Sequence, residues 1–246
     1  MTVVTSRPAE SEPRPPPDTA RVSLLGGFRV EYDGQVVALQ PGSQRLVALL
    51  ALQGRLSRAD AARILWPDAR DDQAHARMRS ALWRLGGCPA VRLVGRSLIV
   101  PSEVTVDLRP RVVAATRLIE RRTPEPGDVD VLDSGSGELL PCWYDDWVLV
   151  ERERYRQLRL RALEALAEVE CERGRYAIAV DAALAVVRME PLCESAHHTL
   201  IRAFLGEHNL VEAARHYRVV EAVLAAELGI GPAPELTALL SAHGLL

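Results

Sequence analysis

The carboxyl-terminal half of the chain repeats itself, and that repeat limits the fold more tightly than any other feature. The run Gly174-Arg175-Tyr176-Ala177-Ile178-Ala179 is echoed by His208-Asn209-Leu210-Val211-Glu212-Ala213. Tyr176 and Leu210 lie 34 residues apart, and at the same offset Ala179 meets Ala213 and Ala183 meets Tyr217. Pro191 falls where a helix of the first unit must stop. Stripes of Leu and Ala occur in any antiparallel helices, but a fixed period with small residues at the crossings requires stacked helix-turn-helix units. From Trp147 to its end the chain therefore reads as helical.

A period of this length is the tetratricopeptide signature, so an all-α, tetratricopeptide-like domain is expected over residues 109–246. Such repeats offer a concave surface to peptides, partner helices or a second copy of the chain, and they seldom carry chemistry. Upstream, VDL (106–108) leads into a helix running through Leu118-Ile119. The acidic, turn-rich segment TPEPGDVDVLDSGSGE (123–138) reads as a loop.

The amino-terminal half has a different texture. Residues 1–20, with five prolines and few apolar side chains, read as a disordered leader. Residues 21–108 then open on three short β-like runs, VSLL (22–25), FRVEY (28–32) and VVAL (36–39), separated by Gly26-Gly27 and by the hairpin dipeptide Asp33-Gly34. Three helical segments follow. The first begins near Ser43 and ends at Gly54. The second opens at Ser57 with a capping-box-like start, buries Ala61, Ile64 and Leu65, and stops at Trp66-Pro67. The third starts at Asp71 or Asp72 and stops at Gly86-Gly87. VRLV (91–94) and SLIV (97–100) then flank Gly95-Arg96 as a two-stranded wing. The predicted fold is thus mainly α: an α+β winged helix-turn-helix followed by the helical repeats.

The third helix carries the functional expectation. At 100° per residue, Ala74, Met78, Ala81, Leu82 and Leu85 share its core face. Arg79, Ser80 and Trp83 point away, with Arg77 and Arg84 on the shoulder. Guanidinium groups reach guanine edges or phosphates, and a short serine lets the backbone approach. A large aromatic on a polar face meets a partner, whether protein or nucleic acid. The third helix therefore reads as a major-groove helix for double-stranded DNA.

Charge divides along the same line. Overall the chain carries -3, but residues 20–110 hold thirteen Arg against eight acids, a net +5, and the remainder is acidic. Every cation is Arg, because the chain has no lysine. A basic half joined to an acidic half assigns phosphate contact to the first alone.

No apolar run reaches membrane-spanning length and the first twenty residues lack a signal-peptide core, so a cytoplasmic protein without membrane contact is expected. Cys88, Cys142, Cys171 and Cys193 form no CxxC pair and read as isolated buried thiols. His197, His198, His208 and His216 lack cysteine or acidic partners at ligand spacing, so neither a metal nor a cofactor is expected. No nucleophile elbow, GxGxxG loop or catalytic carboxylate pair is present, and an enzyme is not expected.

The sequence also resembles the SARP-type transcriptional regulators, which join an OmpR-like winged helix to a bacterial transcriptional activation domain. The winged half is similar in LLGGFRV, QRLVALLAL, LSRADAARILWPD, MRSALWRL and VDL. The activation half is similar in LLPCWYDDWV, RERYRQLRLRALEALAE, EPLCESAHHTLIRAF and YRVVEAVLAAELGIGPAPEL. The resemblance implies an activator of a biosynthetic gene cluster that binds direct-repeat promoter sites and contacts RNA polymerase. It implies DNA contacts by Arg77, Arg79, Ser80, Trp83 and Arg84 on the third helix, and by Arg92 and Arg96 in the wing. A homodimer on tandem sites is the expected assembly. Two departures stand out: Gly86-Gly87 ends the third helix early, and Gly95-Arg96 replaces the family's Gly-Tyr wing turn. The rival reading is a protein-interaction adaptor whose winged domain has lost most of its DNA affinity. The early helix stop favours that rival, and the charge split favours DNA.

Overall fold

The computed structural model describes residues 20–133 and 137–246. The expected leader lies outside the described residues except at Ala20, and part of the expected acidic loop lies outside them as well. The chain divides into two compact units, the first ending at Asp107 and the second spanning Leu108–Leu246.

The first unit begins with the meander. Strands β1 (Ala20–Ser23), β2 (Arg29–Tyr32) and β3 (Gln35–Val36) pair antiparallel in sequence order, with Val22 opposite Val30 and Tyr32 opposite Gln35. The tight turn between β2 and β3 needs positive φ at both central residues, and Asp33 (φ 48°) and Gly34 (φ 75°) supply it. The third strand is shorter than expected, and its last ladder bond runs from the Val37 amide to the Val30 carbonyl at 2.9 Å.

Helix α1 (Pro41–Gln53) opens on a proline, whose missing N–H costs nothing in the first turn. Leu46, Val47, Ala48, Leu49 and Leu50 are all fully buried, which makes α1 the axis of this unit's core. Strand β4 (Leu56–Ser57) precedes α2 (Arg58–Leu65), and the Ser57 hydroxyl accepts the Asp60 amide at 3.0 Å. This is the cap expected from the sequence. Ile64 is only half-buried; Ala62 takes the core position beside Ala61 and Leu65. Helix α3 (Asp71–Arg84) follows, then β5 (Arg92–Val94), β6 (Ser97–Ile99) and β7 (Thr105–Val106).

The wing is a three-stranded sheet in the order β4-β6-β5, with Leu98 between Leu56 and Leu93. Strand β7 returns to the meander and pairs parallel with β1, placing Val106 beside Val22. The Asp107 carboxylate then accepts the amides of Leu24 (3.0 Å) and Leu25 (3.1 Å), so it caps the strand end left open before Gly26.

The second unit is all-α: α4 (Leu108–Arg121), α5 (Asp128–Asp133), α6 (Asp146–Glu172), α7 (Tyr176–Met189), α8 (Glu194–Gly206), α9 (Leu210–Leu228) and α10 (Pro234–Ser241). Helix α5 corrects the expectation of a continuous loop over 123–138. It forms because the buried Asp128 carboxylate accepts the Glu125 amide at 2.7 Å and pairs with Arg117 of α4, fixing its first turn.

The 34-residue period is visible in the backbone bond by bond. Gly174 (φ 72°) and His208 (φ 59°) both take left-handed conformations. The Arg175 amide donates to the Glu170 carbonyl at 2.9 Å, and 34 residues on the Asn209 amide donates to Phe204 at 2.8 Å. Ala179 and Ala213 are fully buried at the equivalent crossings. Leu163, Leu166, Ala183, Val186 and Leu200 centre the larger core cluster, while α10 closes the array by burying Leu236 and Leu240 against Tyr217, Val220 and Leu224. The architecture is the mainly-α combination expected, an α+β unit followed by helical repeats.

The thiols differ from expectation at one position. Cys88 and Cys171 are buried and Cys193 partly so, but Cys142 is exposed. The carbonyls of Leu139, Leu140 and Trp143 are gathered onto the Arg152 guanidinium at 3.0, 2.6 and 3.0 Å, and the chain segment carrying Cys142 arches over that side chain.

Candidate nucleic-acid interface

Helix α3 is built from stripes of i, i+4, i+7, i+11 spacing, the period that keeps side chains on one face. Ala74, Met78, Ala81 and Leu85 are buried and form the stripe that holds the helix to its unit. Leu82, expected on the core face, is only half-buried because it sits at the edge of that stripe. The opposite stripe, Asp72, Ala76, Arg79 and Trp83, is exposed along its whole length. Between them runs a third stripe, Gln73, Arg77, Ser80 and Arg84, also exposed.

The start of α1 fixes how α3 is presented. The Ser43 hydroxyl, fully buried, donates to the Ala81 carbonyl at 2.8 Å and ties the two helices together. Beside that bond a hollow is lined by Gln40, Gly42, Trp66, Arg77, Ser80 and Arg84. A neighbouring hollow holds Trp83 and Arg84 with Ala38, Gln40 and Gly86. The structure therefore brings Arg77, Ser80 and Arg84 together along one edge of α3, with Trp83 next to them. Arg79 lies across the outward face from Arg77 and Arg84. Trp83 is 81% exposed, an unusual state for so large an apolar surface.

The two wing candidates have different environments. Arg96 is exposed in the turn after Gly95 (φ 61°). Arg92 is exposed but ion-paired with Glu103. The Glu103 carboxyl is held below its ordinary range by its own backbone amide first and by the Arg92 guanidinium next.

Ion pairs engage many of the arginines, in the first unit Arg29, Arg63, Arg70 and Arg92. In the second, Arg117, Arg122, Arg152, Arg156, Arg159, Arg175 and Arg188 all form ion pairs with carboxylates. In the first, Arg77, Arg79, Arg84 and Arg96 have no ion pair or hydrogen bond among the described residues. Free guanidinium groups on one helix face and one turn, in a half with net +5, make this surface electropositive. Among the described residues no group of three or more His, Cys, Asp or Glu side chains stands close enough to hold a metal ion. No described helix is long and apolar enough to cross a membrane.

Asp72, Gln73 and Ala76, uncharged or acidic and so without the signal that marks an arginine, share the exposed stripes. Their angular positions around the helix, measured from the buried stripe, identify them without any reference to charge.

Comparison with known proteins agrees with this architecture. Residues 132–242 match the bacterial transcriptional activator domain. The chain is 28% identical over 245 residues to the regulatory protein AfsR of Streptomyces coelicolor, covering 93% of this chain and 24% of that protein. It is 27% identical over 237 residues to the regulatory protein AfsR of Streptomyces griseus, covering 90% of this chain and 24% of the relative. The chain thus spans about a quarter of the length of these relatives. Among solved structures, Mycobacterium tuberculosis EmbR in complex with a low-affinity phosphopeptide shares the fold. Its TM-score is 0.66 at 23% identity, over 90% of this chain and 64% of that one.

Proposed function

We propose that this chain is a transcriptional regulator of the SARP type, in keeping with its match to the bacterial transcriptional activator domain, and that it binds double-stranded DNA by laying α3 in the major groove with the β5–β6 wing beside it. The observation that carries this reading is the uncommitted state of Arg77, Arg79 and Arg84 on the exposed face of a helix whose opposite face is buried. Arg77 and Arg84, with Ser80, would meet the phosphate backbone along one edge, and Arg79 would meet base edges. Arg96 would reach the sugar-phosphate backbone from the wing. Arg92 would do so only by exchanging Glu103 for a phosphate. The second unit, with its match to the bacterial transcriptional activator domain, would contact RNA polymerase and pair two copies on tandem sites. The resemblance to regulators of this type further supports cytosolic action as an activator of a biosynthetic gene cluster.

A gel shift with the full chain and duplexes from promoter regions tests the proposal. The wild type should retard duplex DNA. The combined Arg77→Ala, Arg79→Ala and Arg84→Ala variant, with its fold verified by circular dichroism, should bind at least about a hundredfold more weakly. A variant that binds like the wild type would remove α3 from the interface. The adaptor reading draws on the early stop of α3 before Gly86-Gly87 and on the exposure of Trp83. If Trp83→Ala leaves DNA binding intact but abolishes a protein contact, that reading gains the residue.

A further inference from the structure

Resting on the reading of α3 as the DNA-binding helix, the geometry points to Asp72–Ala76–Arg79–Trp83 as its base-reading stripe, with Asp72 a specificity-determining residue for cytosine. These four positions lie directly opposite the buried stripe Ala74–Met78–Ala81–Leu85, and all are exposed. They are the side chains that enter a groove first when the helix docks outward face down. The stripe Gln73–Arg77–Ser80–Arg84 faces sideways, along the start of α1, where the hollow containing Gly42 and Trp66 lies. A sideways face meets a groove wall, and groove walls are phosphate.

Side-chain chemistry separates the two stripes in the same way. The sideways stripe carries two guanidinium groups and no carboxylate, as a phosphate-facing surface must. The outward stripe carries a carboxylate, which phosphate repels. An ionised Asp accepts hydrogen bonds only, and the major-groove donor it suits is the exocyclic amino group of cytosine. The Ala76 methyl presents a small apolar surface suited to the thymine methyl, and Arg79 presents the fork that reads guanine O6 and N7. Trp83, at the far end, offers a flat apolar surface suited to a thymine methyl and one N–H donor suited to a base-edge acceptor. Asp72 is free for this role. Its ion-pair partner is Arg70 at 3.7 Å, and the two side chains are 73% and 84% exposed respectively, so the pair is loose and solvated.

Spacing then constrains the target. Seven residues of helix separate Asp72 from Arg79, about 10 Å of axial rise. That equals about three base-pair steps of 3.4 Å. The preferred site has a cytosine and a guanine about three steps apart, with a thymine methyl between them.

Selection from a randomised duplex library with the full chain, followed by fluorescence anisotropy on the selected duplex and its single-pair variants, tests this. The wild type should prefer cytosine at one position by about tenfold. Asp72→Asn should transfer that preference to adenine, whose N6 and N7 an amide reads. Asp72→Ala should erase it while the guanine preference three steps away survives. Folded Asp72 variants that select the same bases as the wild type, or a wild type that binds duplex without base preference, overturn the inference alone. Loss of thermal stability without a change in preference would assign Asp72 only to the helix dipole. A wild type that binds no duplex overturns the reading of α3 itself.

Discussion

Replacing Gly206 with alanine tests the helix crossing that defines the repeat. Gly206 ends α8, and a Cβ built on it would lie 2.4 Å from Cε1 and Cζ of Tyr176 and 2.9 Å from Cδ1. Tyr176 is the first residue of α7 and packs against Cys171, Ala179 and Ala203. In an unobstructed helix, Gly→Ala stabilises by up to about 1 kcal/mol. Here the ring must shift within a packed cluster, and overpacking of this kind costs about 1–3 kcal/mol. The net expectation for Gly206→Ala is a loss of about 1 kcal/mol. In a Tyr176→Ala background the obstruction is gone, and the same change should stabilise. Denaturant unfolding of the two single variants, the double variant and the wild type, followed by helical circular dichroism, gives a coupling of about 1–3 kcal/mol. A stabilising Gly206→Ala in the wild-type background, or a coupling near zero, would refute the argument that this crossing depends on the missing Cβ.

Three further outcomes follow from particular contacts. Ser43→Ala removes the buried bond to the Ala81 carbonyl and should cost about 1–2 kcal/mol; an unchanged melting curve would count against the α1–α3 tie. His197 Nε2 bonds the Pro191 carbonyl at 2.8 Å and its Nδ1 faces His216 Nε2 at 2.9 Å, so with Nε2–H of His197 as donor, Nδ1 must accept from His216. Burial first and His197 second lower the His216 pKa from 6.5 to about 4. A lowered imidazole pKa means that the unfolded chain binds the extra proton, so this stability is present above pH 6.5 and is lost as pH falls toward 4. His216→Gln should flatten that part of the stability profile relative to wild type, and matching profiles would exclude the pair as its source. Glu103→Gln frees Arg92 and should tighten duplex binding a few-fold at low salt; unchanged affinity in anisotropy would show that Arg92 lies off the DNA.

Much of this was legible in the sequence because it rests on local rules. The hairpin at Asp33-Gly34, the Ser57 cap and the repeat at Gly174 and His208 each follow from residues close together in the chain. The elements that escaped notice depend on distant partners. Strands β4 and β7 are two residues long and exist only because Leu98 and Val22 stand beside them. Helix α5 hides in an acidic stretch because its stabilising cation, Arg117, sits on α4. The Arg92–Glu103 pair joins the wing to the following loop across eleven residues. In α3 the core face was read from the correct period. The same period places Asp72 and Ala76 directly outward, but neither carries the positive charge by which a phosphate contact is recognised in a sequence.

The central claim, that α3 meets DNA through arginines with divided roles, is tested most directly by the salt dependence of duplex binding. Anisotropy titrations of wild type and Arg84→Ala across a range of salt concentrations give log K against log salt for each. Arg84 belongs to the sideways, phosphate-facing stripe, so its loss should reduce the slope by about one unit and weaken all duplexes alike. A wild-type affinity that is flat across salt, or an Arg84→Ala slope equal to that of the wild type, would contradict the account.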